Sequence, residues 1–67
     1  MKAVSGKHFC KVLGRNGWTY DRTSGSHHVY VKPGFAPVSV PVHGNRTLGA
    51  GLQRRLMKQT GLTDADL

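Results

Sequence analysis

The sequence contains no glutamate, only three aspartates and a single cysteine among its 67 residues. Glycosidases require a pair of carboxylates, and Mg²⁺ or Ca²⁺ sites require several carboxylate oxygens. One cysteine, Cys10, allows neither an intramolecular disulfide nor a zinc site of the Cys₄ or Cys₂His₂ type. We therefore expect none of these sites, and we expect Cys10 to be a small, buried or half-buried hydrophobic residue.

Long apolar runs are also missing. No stretch approaches the ~18 consecutive apolar residues of a membrane-spanning helix, and no apolar segment follows the first residues as it would in a signal peptide. The chain is also shorter than the ~100–200 residues usual for one domain. The sequence therefore predicts a single domain over residues 1–67 that is soluble and cytoplasmic and has no membrane partner.

Positive charge is in large excess. Ten Lys and Arg residues against three acidic residues give a net charge of +7. Because opposite charges are too few to offset this self-repulsion, we expect an anionic partner, and a bound polyphosphate would relieve the repulsion. The candidate residues for such a partner, and for RNA binding in the interpretation given below, are Arg22, Lys32, Arg46, Arg54, Arg55 and Lys58.

Two helices are indicated by apolar residues at helical spacing. Ser5 is a suitable N-cap for the first helix, which has Phe9, Val12 and Leu13 on one face and stops before Gly17. The second helix begins near residue 51, has Leu residues at 52 and 56 on its apolar side, and stops at residue 61. The tail over 62–67 is expected to add one turn capped by residue 63.

Between the helices the apolar period changes from 3.6 to 2, which predicts strands over 18–23, 27–32 and 38–42. Turn signals at Gly25 and at 33–34 separate them. The expected fold class is therefore α+β: an α-β-β-β-α two-layer sandwich in which two helices cover an antiparallel three-stranded sheet. This element order is similar to that of double-stranded-RNA-binding domains.

Strand details give two further expectations. Simple alternation places Trp18, Tyr20 and Arg22 on one side of the first strand, with Trp18 packed between the first helix and the sheet. Pro41 has no N–H to donate to a β-ladder, so the third strand is expected at an edge of the sheet.

The most specific motif is a glycine turn followed by two histidines, Gly25-Ser26-His27-His28. Adjacent residues of a strand face opposite ways, and alternation does not settle which histidine is exposed. A histidine can act as both base and acid at neutral pH, so a catalyst is one interpretation and a polar hairpin without catalytic role is the other. His43 could join this pair in a zinc site, but the diverging side chains argue against a metal.

Several segments together resemble a known family. These are Ser5-Gly6-Lys7, Asn16-Gly17-Trp18, the run from Gly25 to Tyr30, Val40-Pro41-Val42-His43 and the run from Leu56 to Leu62. Their order and spacing over nearly the whole chain resemble the HicA (YcfA-like) toxins of prokaryotic type II toxin–antitoxin systems.

The resemblance implies a fold like that of double-stranded-RNA-binding domains, a ribosome-independent mRNA endonuclease activity and neutralisation by a cognate HicB antitoxin. It assigns the required histidine to His27, with Gly25 shaping the turn. Family members with Gly-Ser-Asn-His point to His28 as the alternative. An imidazole that activates the RNA 2′-OH needs no metal or cofactor. The alternative functions are a non-catalytic RNA-binding module and a module that binds an acidic protein.

Overall fold

The computed structural model describes residues 1–67. The elements, in chain order, are α1 (Gly6–Arg15), β1 (Thr19–Ser24), β2 (His27–Val31), β3 (Val38–Pro41), α2 (Ala50–Thr60) and a 3₁₀ turn (Asp64–Asp66). The predicted α-β-β-β-α order is confirmed. Neither helix is long and apolar enough to cross a membrane.

The three strands form one antiparallel sheet in the order β1-β2-β3. β3 therefore lies at an edge, as predicted from Pro41, which pairs with His27 of the central strand. A proline is tolerated there because the outer side of an edge strand has no ladder hydrogen bond to lose.

Both helices cover the same side of the sheet. Val38 and Val40 of β3 share one buried cluster with Phe9 of α1, Trp18 and Leu56 of α2. Period 2 sends the intervening β3 side chain to the other side, which no helix covers. The fold is thus the predicted α+β sandwich of two layers, with one open face of the sheet.

α1 begins with the predicted cap, because the Ser5 hydroxyl accepts a hydrogen bond from the His8 N–H at 3.0 Å. The helix then starts so close to β3 that a Cβ atom on Gly6 would overlap the carbonyl oxygen of Pro41. Glycine at position 6 therefore sets how closely α1 approaches the sheet.

A bulge interrupts β1. Tyr20 pairs with Tyr30, but Arg22 pairs with Val29, so Asp21 is the extra residue of the bulge. The expectation that Tyr20 and Arg22 share one side of the strand is therefore wrong. The inserted residue turns Arg22 to the open face, while the Tyr20 ring stays on the helix side, 5.8 Å from that of Tyr30.

Candidate active site on the open face of the sheet

A tight hairpin presents the two histidines. β1 ends at Ser24 and β2 begins at His27, which pair across a two-residue turn of Gly25 and Ser26. Gly25 has φ 61°, and Ser26 does not have a positive φ, which matches a type II′ turn with glycine at its first central position. This turn fixes the register that places each histidine.

The two histidines lie on opposite faces. His28 pairs with the fully buried Val40, is half-buried itself and has its ring 6.1 Å from that of Tyr20. His27 pairs with Pro41 and is exposed on the open face. Alternation along the sequence does not decide which histidine is exposed, and the pairing of β2 with β3 shows that it is His27.

His27 has one side-chain hydrogen-bond partner, which sequence reasoning missed. Its Nδ1 lies 3.1 Å from Oγ of Ser39, a residue of β3 that pairs directly with Val29. The signal was available in part, because Ser39 separates the two core residues Val38 and Val40 and must face away from them. Only the strand register shows that it is diagonal to His27.

Two solvent-open pockets meet at His27. The first, about 500 Å³, extends towards β1 and is lined by Arg22 and Ser24; we call it the β1-side pocket. The second, about 490 Å³, extends over the β3 edge to Arg55 and Gln59 of α2; we call it the α2-side pocket. The residues that line both pockets are His27, Pro37 and Ser39.

Each pocket contains one of the predicted RNA-binding arginines. Arg22, the residue after the bulge in β1, lines the β1-side pocket, and its guanidinium donates to the Asp21 carboxylate. Arg55 lines the α2-side pocket. The imidazole of His27 therefore lies between two cationic side chains. Asp21, which forms a salt bridge with Arg22, is the only acidic residue paired with either arginine.

Lys32 is placed elsewhere. Its Nζ donates to the carbonyl oxygen of Asn16 at 2.9 Å and lies 5.2 Å from the ring centre of Phe35. Position 32 is five residues from His27 along the chain, roughly 16 Å at the ~3.3 Å rise of a strand. Lys32 lines neither pocket and instead caps the end of α1.

The other predicted basic residues are exposed but line neither pocket. Arg46 lies in the loop between β3 and α2, three residues after His43, whose Nε2 is 3.3 Å from Ser26 Oγ. Arg54 and Lys58 are one turn apart on α2, and neither lines the pocket that Arg55 and Gln59 line. The structure thus gathers two of the six predicted basic residues around His27.

No three His, Cys, Asp or Glu side chains lie close enough together to hold a metal ion. His43 is hydrogen-bonded to Ser26 rather than grouped with His27 and His28, which diverge across the sheet.

A family model described as HicA toxin of bacterial toxin–antitoxin systems matches residues 6–62. The chain belongs to the HicA toxin family. The matched range of this HicA toxin begins with α1 and ends just after α2, so it includes the hairpin, both pockets and Ser39. Membership in a toxin–antitoxin family implies an antitoxin partner. No curated protein matches the chain.

On the helix side of the sheet, away from both pockets, this HicA toxin places the thiol of Cys10 next to the phenol of Tyr30. Burial raises the pKa of the Cys10 thiol, an effect that a hydrogen bond from Tyr30 partly opposes. Burial, followed by the influence of Cys10, raises the pKa of the Tyr30 phenol. Both groups stay neutral at physiological pH, and the thiol is buried as predicted.

Proposed function

We propose that this HicA toxin is a metal-independent endoribonuclease that cleaves mRNA, with His27 as the general base. The supporting observation is the exposed imidazole of His27 at the junction of two pockets, each containing an arginine. A neutral imidazole is the side chain best suited to take up a proton near pH 7.

The reaction is an internal transesterification. Nε2 of His27 removes the proton from an RNA 2′-OH, and the 2′-oxygen attacks the adjacent phosphorus. The bond between phosphorus and the 5′-oxygen breaks, and the departing 5′-oxygen takes a proton from water. The products are a 2′,3′-cyclic phosphate and a 5′-OH end, and the imidazolium returns its proton to solvent.

Arg22 and Arg55 supply positive charge on either side of this centre. We propose that a single strand of RNA crosses the open face from the β1-side pocket to the α2-side pocket, so that its scissile phosphate lies over His27. Guanidinium groups bind phosphate oxygens bidentately and stabilise the charge that develops on them. Arg46, Arg54 and Lys58 then attract flanking phosphates at longer range, while Lys32 is left with its structural contact.

We further propose that the antitoxin partner is a HicB-type protein that covers this open face. A net charge of +7 on a 67-residue chain favours an acidic partner surface, because complementary charge speeds and orients association. Covering the open face blocks His27 and both arginines together.

The test is cleavage of matched RNA and DNA oligonucleotides by the purified protein in the presence of EDTA, with His27→Ala as the control for contaminating nucleases. We expect RNA to be cut, DNA to remain intact because it has no 2′-OH, and the new 5′ ends to be phosphorylatable by a kinase without prior dephosphorylation. Cleavage of DNA, a need for added metal, or equal cleavage by His27→Ala would reject the mechanism.

The same variant distinguishes a nuclease from a non-catalytic RNA-binding module. A catalytic His27 predicts that His27→Ala binds RNA with nearly unchanged affinity but does not cleave it. If the wild-type protein binds RNA and never cleaves it, the binding module replaces the nuclease. If it binds no RNA at low salt, a module that binds an acidic protein is favoured instead.

A further inference from the structure

The hydrogen bond between His27 and Ser39 connects two exposed side chains of neighbouring strands. Ser39 Oγ lies 3.1 Å from Nδ1 of His27, and both residues line both pockets. Two other polar side chains of the open face make no hydrogen bond with the ring. Arg22 donates to Asp21, and the Ser24 hydroxyl, although Ser24 is paired with His27 in the ladder, does not bind the imidazole.

No carboxylate takes the place that aspartate holds in many histidine-based active sites. Asp21 is paired with Arg22, and Asp66 accepts hydrogen bonds from Thr63 in the last turn. In a neutral imidazole, the hydrogen bond made by one ring nitrogen determines which of the two nitrogens carries the proton. For His27 that group is the Ser39 hydroxyl.

The reaction cycle distinguishes the two possible directions of this hydrogen bond. If Nδ1–H of His27 donates to Ser39 Oγ, Nε2 carries the lone pair, and the same hydrogen bond persists when Nε2 gains a proton. If Ser39 donates instead, protonation of the ring requires the hydroxyl to turn away. The first arrangement needs no reorganisation during proton transfer, which is the condition that favours catalysis.

We propose that Ser39 is a positioning residue that holds His27 in the tautomer protonated at Nδ1, with Nε2 directed to the substrate. The catalytic part of this inference rests on the proposed nuclease function. The tautomer itself is a property of the free protein and is measured without RNA.

The primary test is nuclear magnetic resonance of protein with ¹⁵N-labelled histidine at alkaline pH, where a neutral imidazole carries a single ring proton. We expect His27 to be mainly the Nδ1–H form in the wild-type protein and to shift towards the Nε2–H form in Ser39→Ala. Ser24→Ala, which removes the serine paired directly with His27, is the matched control and should leave the tautomer unchanged. An Nε2–H majority in the wild-type protein, or no change in Ser39→Ala, overturns the proposal.

Kinetics provide the second readout. We expect Ser39→Ala to lower kcat about tenfold, a part of the ~10²–10⁴-fold that general-base catalysis contributes, with KM changed less than about twofold. Ser39→Thr restores a hydroxyl on the strand and should recover most of the rate. A serine with only a structural role would not show both this rescue and the tautomer shift. If Ser39→Thr fails to recover the rate, Ser39 does not position His27 for catalysis.

Failure of the proposed function gives a different result. If the wild-type protein cleaves no RNA but its His27 shows the Ser39-dependent tautomer, the nuclease proposal fails and the positioning contact stands. If RNA is cleaved and Ser39→Ala changes neither the tautomer nor kcat, the nuclease proposal stands and Ser39 has no such role.

Discussion

His27 and His28 are adjacent in β2, yet one ring lies on the open face beside Ser39 and the other lies on the helix side beside Tyr20. Their roles are therefore separable by single substitutions. We expect His27→Ala to lower the RNA cleavage rate by ~10²–10⁴-fold, because it removes the general base. We expect His28→Ala to cleave at a rate within about tenfold of wild type, since its ring faces away from both pockets.

Growth arrest on expression, together with the purified cleavage rate, is the measurement. Circular dichroism melts of both variants show whether either change unfolds the protein. Loss of activity in a folded His28→Ala with retention in His27→Ala would assign the base to the other histidine.

Arg22 and Arg55 are expected to bind phosphates, and Lys32 is not. A plot of the logarithm of RNA affinity against the logarithm of salt concentration has a slope of about −0.7 per neutralised phosphate on a single strand. We therefore expect Arg22→Ala and Arg55→Ala each to make the slope about 0.7 less steep.

Lys32→Ala is the matched control for charge. It removes the same charge from a residue whose ammonium is bound to the Asn16 carbonyl oxygen and lies against Phe35. We expect its salt slope to be unchanged and its free energy of unfolding to fall by about 1 kcal/mol. A Lys32→Ala slope that drops as far as those of the arginine variants would contradict the placement of the RNA path.

Gly25 is expected to stabilise the hairpin, because its φ of 61° is disfavoured for residues with a Cβ. Gly25→Ala should lower the free energy of unfolding by ~1–2 kcal/mol. It should also lower the cleavage rate, since a changed turn moves His27 relative to Ser39. Gly14, which lies in α1 with open space around it, is the control, and Gly14→Ala should raise stability by ~0.5–1 kcal/mol. Chemical denaturation checks both signs.

Stability is expected to fall at alkaline pH because of Cys10 and Tyr30. Their ordinary pKa values are 9.0 and 10.0, and burial raises both in the folded protein. Up to about pH 8, a unit below the ordinary pKa of the thiol, both groups are largely neutral in the folded and unfolded chains. Above that, the unfolded chain ionises first and holds fewer protons, so the free energy of unfolding declines until the raised values are passed.

The measurement is the free energy of unfolding between pH 7 and 11 for wild type, Cys10→Ala and Tyr30→Phe. Each variant should lose less stability than wild type over this range, because one ionisation is gone. Lysines also titrate in this range, but they are the same in all three proteins, so their contribution cancels in the comparison. Parallel curves for all three proteins would show that neither group contributes.

Local rules predicted most of the fold but only part of the site. The Ser5 cap, the apolar stripe of α1 and the Pro41 edge strand follow from single-residue physics, and all three are present. The bulge at Asp21 was not predictable from alternation, because an inserted residue leaves the composition of a strand unchanged while it reverses the side of Arg22.

The contacts of the site depend on register, which a single strand does not contain. Ser39 meets His27, and Arg55 reaches the same pocket as Ser39, only after β2, β3 and α2 are assembled. Lys32 shows the converse, since a positive charge in a strand that was predicted to bind RNA lies outside both pockets and donates to the carbonyl oxygen of Asn16. Composition predicted that basic side chains bind the partner, and the tertiary structure shows which of them lie beside His27.

The two-residue turn at Gly25 and Ser26 also determines which imidazole meets solvent on the uncovered side. Because side chains alternate strictly, moving β2 by a single position against its neighbours would exchange its two surfaces. With histidine at both 27 and 28, either alignment would still bring an imidazole to that side. The doublet thus makes the presence of an imidazole on that side tolerant of an added or deleted turn residue.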